Sequence, residues 1–203
     1  MFHHLDPLTV RASFPDVAED FLTTVAGVGP DQWSEPGLGE WTVRELTGHG
    51  LRALAALHRF CDSSGDGPTM PTTSAYYRAA PGYDAHLGIA ERGRRAGADL
   101  VDPMATTRMV VDDTLARLAA TPDDHVGEVR GGSMRLEDYL PTRVVEIGVH
   151  TLDLQAATGQ PLALPASANG VILGVLADLA DIPVVLRALT GREELVTGYN
   201  LLG

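Results

Sequence analysis

One segment of the chain carries a row of ionisable side chains at helical spacing. Glu146 and His150 are four residues apart, and Arg143 and Asp153 lie three residues to either side of them. Residues three or four apart on an α-helix are neighbours, about 5–6 Å from each other. A carboxylate and an imidazole placed in this way can present one oxygen and one nitrogen to the same divalent metal ion.

The residues on both sides of this row are apolar. They are Val144, Val145, Ile147, Val149, Leu152 and Leu154. A row that faces solvent normally has polar neighbours, so we expect this one to face the interior of a helical bundle. Burial of a carboxylate and an imidazole is unfavourable unless they are paired or bind a metal. Either a metal site or a set of buried hydrogen bonds without metal would explain Glu146 and His150.

A third metal ligand must come from another helix, and His49 is the candidate. Apolar residues place it on the buried face of its helix: Leu46, Ala53, Ala56 and Phe60. His58 is nine residues further on, which at about 100° per residue turns it to the opposite side of the helix. Cys61 is about 18 Å away along the helix axis. Neither side chain is therefore expected to join His49 at one ion.

Arg143 and Asp153 are the candidate catalytic residues. Arg143 would bind an anionic substrate, or it would form a salt bridge with a neighbouring carboxylate. Asp153 would hydrogen-bond a ligand histidine and orient it, or it would be an exposed helix cap. Tyr76 and Tyr77, which precede Arg78, either contact substrate or pack their loop onto the bundle.

These residues need a helical scaffold, and the sequence predicts one. Apolar periodicity, N-caps and Gly or Pro stops predict helices over about 15–28 with an extension back towards residue 8, 42–61, 83–100, 103–121, 137–158 and 165–189. The third and fourth are either two helices or one bent helix, and the last is expected to be interrupted near Pro183. Thr42 and Glu45 form a capping-box pattern at the start of the second helix.

Two other segments are not predicted to be long helices. Residues 62–82 are rich in Gly, Pro, Ser and Thr, which predicts a long irregular loop able to fold over a site. Residues 126–136, with Gly131 and Gly132 at their centre, predict a short hairpin. The expected fold class is all-α, with residues 1–203 forming a single domain.

The composition limits the possible functions. The net charge of −12 makes nucleic acid and anionic membranes poor partners. All 15 basic residues are arginine, so lysine-based Schiff-base chemistry is excluded. A single cysteine, Cys61, excludes an intramolecular disulfide and zinc sites with several thiolates. No signal peptide or membrane span is predicted, because polar residues and Pro183 break the apolar stretch over 171–189; the expected location is the cytoplasm.

Two segments resemble the signature segments of the DinB-like superfamily. The first reads Gly-Glu-Trp-Thr-Val-Arg-Glu-Leu-Thr-Gly-His over 39–49, and the second reads Arg-Val-Val-Glu-Ile-Gly-Val-His-Thr-Leu-Asp-Leu over 143–154. They are similar in particular to the mycothiol-dependent maleylpyruvate isomerase N-terminal branch. There, a Trp-Thr/Ser-Val segment leads to the first metal histidine, and an Arg-x-x-Glu-x-x-x-His-x-x-Asp-Leu segment supplies the other two ligands. The resemblance covers about residues 8–190.

The resemblance implies a four-helix bundle with additional helices and a divalent metal ion held by His49, Glu146 and His150. Zinc is the expected metal, with nickel, iron and manganese as alternatives. Members of the family use a low-molecular-weight thiol such as mycothiol or bacillithiol for thiol transfer or thiol-assisted isomerisation. The isomerase carries a further small α/β domain, whereas this sequence ends at Gly203, so maleylpyruvate itself is not the expected substrate.

The expected activity follows from an open metal site. Coordination to a metal deprotonates a thiol, and the thiolate is the nucleophile that would attack a small electrophile. Two other functions remain open at this point. In the first, the same ligands serve an enzyme that uses no thiol, such as an iron enzyme of oxygen chemistry or a cyclase. In the second, the chain is a non-catalytic metal-binding stress protein. A small-molecule substrate and a thiol are the expected partners, with the protein a monomer or a homodimer.

Overall fold

Eight α-helices account for most of residues 5–79 and 84–202, which are the residues that the computed structural model of the chain describes. They are α1 (Pro7–Ala26), α2 (Val43–Asp62), α3 (Thr73–Arg78), α4 (Asp84–Ala98), α5 (Pro103–Ala120), α6 (Leu136–Thr158), α7 (Ala166–Leu179) and α8 (Ile182–Leu189). Two strands, β1 (Val126–Val129) and β2 (Gly132–Arg135), pair antiparallel as the predicted hairpin. The predicted all-α fold class is confirmed.

Four of the helices form a bundle. Helix α1 packs against α5 and α6, and α2 packs against the same two helices from the other side. Large side chains from α1, α2 and α6 fill the interior, among them Phe14, Phe21, Leu54, Phe60, Leu140, Ile147 and Leu154, all fully buried. Burial of each such side chain contributes about 1.5–3 kcal/mol, so this core fixes α2 and α6 against each other.

Three further helices cover the outside of the bundle. Helix α4 packs on α2, α7 packs on α1 and α6, and α3 lies against α6 and α7. The approach of α4 to α2 is very close, since a Cβ added to Gly48 would lie 2.6 Å from the backbone nitrogen of Gly97. Only residues without a side chain allow the two backbones to meet in this way.

The helix boundaries follow their capping residues. Helix α1 begins at Pro7 after the N-cap Asp6, so Pro15 lies inside the helix rather than at its start. The capping box of Thr42 and Glu45 at the start of α2 is present. Helices α4 and α5 are separate, and α7 ends before α8, whose first turn contains Pro183.

The segment predicted as a long irregular loop contains one short helix, α3. Thr72 caps it by accepting a hydrogen bond from the backbone nitrogen of Ala75. Nearby, the loop is fastened to the hairpin, because the backbone nitrogens of Thr69 and Met70 both donate to the carbonyl of Ser133. Residues 80–82 of the predicted loop, and residue 83 at the predicted start of the next helix, lie outside the described residues. No helix within the described ranges is both long and apolar enough to cross a membrane.

Candidate metal centre

The three predicted metal ligands meet between α2 and α6. His49 lies in the second turn of α2, while Glu146 and His150 lie one turn apart near the middle of α6. Each of the three side chains offers one ligand atom, and these atoms all lie within 4.8 Å of one another. Two imidazole nitrogens and a carboxylate oxygen are therefore grouped closely enough to serve one ion.

The two ring nitrogens of His150 face two carboxylates. Nδ1 lies 3.2 Å from Oδ2 of Asp153, and Nε2 lies 3.7 Å from Oε2 of Glu146. Burial favours the neutral imidazole, but the hydrogen bond to Asp153 and the negative charge of Glu146 raise the pKa of His150 to about 9. Because Asp153 accepts from Nδ1, it fixes the ring so that Nε2 points towards Glu146, as in carboxylate–histidine–metal arrangements.

His49 has a buried ring nitrogen without a partner. Its ring centroid lies 4.6 Å from that of His150, with the two planes at 85°. Burial and the neighbouring His150 lower the pKa of His49 to about 4, so its imidazole is neutral at pH 7. Its Nδ1 is buried and has no hydrogen-bond partner among the described residues. A buried polar atom without a partner is uncommon, and a role of His49 in metal binding would explain it.

Glu146 is ionised although it is partly buried. Burial by itself would raise the pKa of the carboxyl group, but His150, whose Nε2 lies 3.7 Å away, and the positive charge of Arg143 lower it to about 2. The site therefore holds one carboxylate, the neutral imidazole of His49, and His150, which must give up a proton to bind an ion because its pKa is raised to about 9. This donor set suits borderline divalent ions such as zinc, nickel or iron, and three ligands leave further coordination positions open.

The ring of Trp41 packs against that of His49. The two rings lie 4.5 Å apart at an angle of 31°. The indole Nε1 of Trp41 donates to the carbonyl of Ala90 in α4 at 3.0 Å. A Cβ on Gly93 would lie 2.6 Å from the indole ring, so α4 encloses Trp41 closely. Helix α4 thus helps to position a residue of α2 through one aromatic side chain.

A cavity of about 670 Å³ adjoins the candidate ligands. His49 and Glu146 lie in its wall, together with Tyr76 and Tyr139. Five arginines complete much of the lining: Arg52, Arg59, Arg92, Arg130 and Arg143. A cavity of this size accommodates a small organic molecule, since ligand pockets typically measure about 300–1,000 Å³.

Arg143, one of the two predicted catalytic residues, is only 5% exposed and projects into the cavity wall. Its guanidinium carbon lies 4.8 Å from the ring centroid of Tyr139 and 5.6 Å from that of Tyr76. Its Nε donates to Oγ1 of Thr142 at 2.9 Å. Among the described residues it has no carboxylate within 4.0 Å, so the alternative of a salt bridge is not observed there.

Tyr76 and Tyr77 differ in position: one faces the cavity, and the other packs its segment onto the bundle. Tyr76 lies in the cavity wall. Tyr77 is half-buried, donates to the carbonyl of Thr142 at 3.3 Å, and has a pKa raised by burial. Arg78 is exposed and donates to the carbonyl of Asp178. Tyr77 therefore packs α3 onto the bundle, and only Tyr76 is placed to meet a ligand in the cavity.

His58 and Cys61 do not reach the candidate ligands. Nε2 of His58 lies 2.6 Å from Oγ1 of Thr114, and its Nδ1 lies 3.3 Å from Asp113, so the ring faces α5. Burial raises the pKa of the Cys61 thiol. Neither residue lines the cavity.

Of the five cavity arginines, only Arg143 was predicted from the sequence, and the other four were not. Arg52 and Arg59 could have been found, since they lie three and ten residues after His49 and so share its face of α2. Arg92 in α4 and Arg130 in the turn of the hairpin carry no such signal. Only the packing of separate elements brings them to the same cavity.

Comparison with known proteins identifies the family. The family model of the mycothiol maleylpyruvate isomerase N-terminal domain matches residues 14–155, well over half of the chain. The chain belongs to this family. The match to the mycothiol maleylpyruvate isomerase N-terminal domain spans all three candidate ligands as well as Asp153. No curated protein and no solved structure matches the chain.

Proposed function

We propose that the chain is an enzyme that depends on a divalent metal held by His49, Glu146 and His150. It would activate a low-molecular-weight thiol of the mycothiol type, either for transfer of the sulfur to a small electrophile or for isomerisation of that electrophile. One observation carries the proposal: His49, Glu146 and His150 each offer one ligand atom, and these three atoms lie within 4.8 Å of one another. The adjoining cavity and the family membership support it.

The candidate ligands fit zinc, with nickel, iron and manganese as alternatives. When bound, a divalent ion would lower the pKa of a coordinating thiol, so that the thiolate forms near neutral pH. The ionised Glu146 would offset part of the positive charge of the ion. Asp153 would keep Nε2 of His150 turned towards the site by accepting from Nδ1.

The sulfur would come from a cosubstrate. Cys61, the single cysteine of the chain, does not line the cavity, and burial raises the pKa of its thiol. A thiol with a raised pKa is a weak nucleophile at pH 7 because little of it is ionised. Arg143 would bind an anionic group of the substrate, since its guanidinium is always charged and lies in the cavity wall.

The position of Asp153 favours catalysis over passive metal binding. A non-catalytic site would be expected to have a closed shell, with Asp153 or another group as a fourth ligand. Asp153 is instead engaged with Nδ1 of His150 and is not part of the group of ligand atoms. Three protein ligands with open positions are typical of catalytic metal sites.

Elemental analysis and a thiol-consumption assay test this function together. The purified protein is loaded with zinc and supplied with mycothiol and the electrophile monobromobimane. We expect turnover only with metal, and we expect His49→Ala or Glu146→Gln to abolish both metal binding and turnover. His58→Ala is the matched control, because His58 lies on the same helix but faces α5.

Two outcomes would count against the proposal. Equal turnover by metal-free and metal-loaded protein would rule out metal dependence. Metal-dependent turnover of the electrophile without any thiol would support the metal site but rule out the role of the thiol. That result would favour the alternative of a thiol-free metalloenzyme.

A further inference from the structure

The cavity beside the candidate metal ligands concentrates positive charge in an acidic protein. Five of the 15 arginines of the chain line it, while the chain as a whole has a net charge of −12. These five residues, called here the arginine wall, come from α2, α4, the hairpin turn and α6: Arg52, Arg59, Arg92, Arg130 and Arg143. Two glutamates, Glu128 and Glu146, lie in the same lining.

The arginines of this wall form no ion pairs with acidic side chains in the described parts of the chain. Within the described parts of the chain, none of its five members has a carboxylate oxygen within 4.0 Å, whereas seven of the other ten arginines do. Burial lowers the pKa of Arg52, and the positive charges of the nearby Arg92 and Arg59 lower it further. Like charges held close together without ion pairs repel one another. Such an arrangement is stabilised when an anionic ligand occupies the space between them.

Arg143 is held in place before any ligand arrives. Two tyrosine rings flank its guanidinium, and Nε is fixed by Thr142. NH2 also reaches the hydroxyl of Tyr76 at 3.4 Å. The remaining N–H groups have no partner among the described residues, and a guanidinium fork matches the two oxygens of a carboxylate or phosphate. The side chain therefore needs little ordering to bind such a group.

We propose that the arginine wall binds a small molecule with at least two anionic groups, carboxylate or phosphate. This proposal rests on the proposed function, because the bound molecule would be the electrophilic substrate of that reaction. Arg143 lies one helical turn from Glu146 and would hold the anionic group nearer the ligands. Arg52 and Arg59, two helical turns apart from each other, would hold a second group further along α2. One carboxylate cannot contact five arginines from four elements, so a single charge would leave most of the wall without a partner.

Calorimetric titration of the zinc-loaded protein tests the proposal. The probes are succinate as a dicarboxylate, inorganic pyrophosphate as a phosphate, and the neutral succinamide as a control. We expect the anions to bind and succinamide not to bind, with affinity falling as salt concentration rises. The tighter of the two anions then identifies carboxylate or phosphate as the preferred group.

Two double variants test whether binding of the anion depends on the arginine wall. Arg52→Gln with Arg59→Gln should weaken binding of the preferred anion at least tenfold. Arg95→Gln with Arg108→Gln removes the same charge from arginines that do not line the cavity, and it should change affinity less than twofold. Arg143→Lys keeps the charge but loses the planar fork, so it should also weaken binding.

Folding and metal content are measured on the same samples. Arg52 and Arg59 have no described ion pair, so the double variant should keep its circular dichroism spectrum and its zinc. Equal anion affinity in wild type and in the folded variant would overturn the proposal, and so would equal binding of succinate and succinamide. Protein that binds the anion but no metal would contradict the proposed function alone, whereas protein that binds metal but no anion would contradict the arginine wall alone.

Discussion

A histidine becomes a candidate ligand through its neighbours, and His150 and His58 illustrate the difference. Each pairs one ring nitrogen with an aspartate, His150 with Asp153 and His58 with Asp113. The other nitrogen of His58 is satisfied by Thr114, which leaves nothing for an ion to bind. The other nitrogen of His150 instead faces Glu146 at 3.7 Å, a separation too long for a good hydrogen bond. Of these two histidines, only His150 therefore has a nitrogen that could bind a metal ion.

Replacement of Asp153 by asparagine tests whether it orients a metal ligand. The loss of the carboxylate should weaken zinc binding about 10–100-fold, because a hydrogen-bonded carboxylate fixes the ligand ring and increases its basicity. Competition with a chromogenic chelator measures this change. Asp113→Asn removes the equivalent aspartate from His58 and should leave zinc affinity unaltered. If both variants bound zinc as the wild type does, Asp153 would have no role in positioning His150.

Cys61 is expected to be dispensable for the chemistry. Its thiol has a raised pKa because it is partly buried, so at pH 7 less of it is ionised than of an exposed cysteine. Cys61→Ser should therefore retain mycothiol-dependent turnover within about twofold. In the wild-type protein, a disulfide reagent should react more slowly with Cys61 than with free cysteine at the same pH. Loss of turnover in a folded Cys61→Ser protein would show that the sulfur is supplied by the chain itself.

At the scale of helices, the contact between α2 and α4 depends on glycine. Gly48→Ala would place a methyl group 2.6 Å from the backbone of Gly97, a separation that forces α4 away from α2. Overpacking of this kind typically lowers the free energy of unfolding by about 1–3 kcal/mol. Urea denaturation followed by circular dichroism measures the change.

Gly170→Ala is the matched control for this substitution. Gly170 lies within helix α7, and a Cβ there would have nothing within 4 Å. Alanine is a better helix former than glycine, so this variant should be more stable by about 0.5–1 kcal/mol. A Gly48→Ala protein as stable as the wild type would mean that α4 can move away from α2 without loss.

The helices were predictable to the extent that local patterns define them. The capping box at Thr42 and Glu45 and the apolar face of α2 are readable from sequence, and both are present. The predicted extension of α1 back towards residue 8 is present, since the helix begins at Pro7 after the N-cap Asp6 and contains Pro15 in its interior. Helix α3 is only six residues long, too short for apolar periodicity to reveal it within a polar segment.

At the scale of the whole molecule, the candidate site separates into a predictable part and an unpredictable part. Helical phase groups Glu146 with His150 and excludes His58 as a partner of His49, so the three candidate ligands could be proposed from sequence. The arginine wall draws on four elements, and its membership depends on how α4 and the hairpin pack against α2. No local pattern encodes that packing. The prediction that residues 1–203 form a single domain stays a prediction.

Metal binding is expected to stabilise the whole fold, because the candidate ligands lie on two helices and about 100 residues apart in sequence. An unfolded chain does not hold them together, so the ion binds the native state selectively. Zinc at about 100 times its dissociation constant should then raise the free energy of unfolding by about 2.7 kcal/mol. For a chain of this size that corresponds to a rise of roughly 5–10 °C in the thermal midpoint.

Differential scanning calorimetry with and without zinc measures this shift, and the histidine variants determine its origin. His58→Ala should keep the full shift, because its ring is occupied with α5. His49→Ala should lose it, since α2 then contributes no ligand and Glu146 and His150 both lie on α6. An equal shift in the His49→Ala protein would place the zinc elsewhere on this acidic surface. If the shift depends on His49, the ion joins α2 to α6 and therefore contributes to folding as well as to the proposed chemistry.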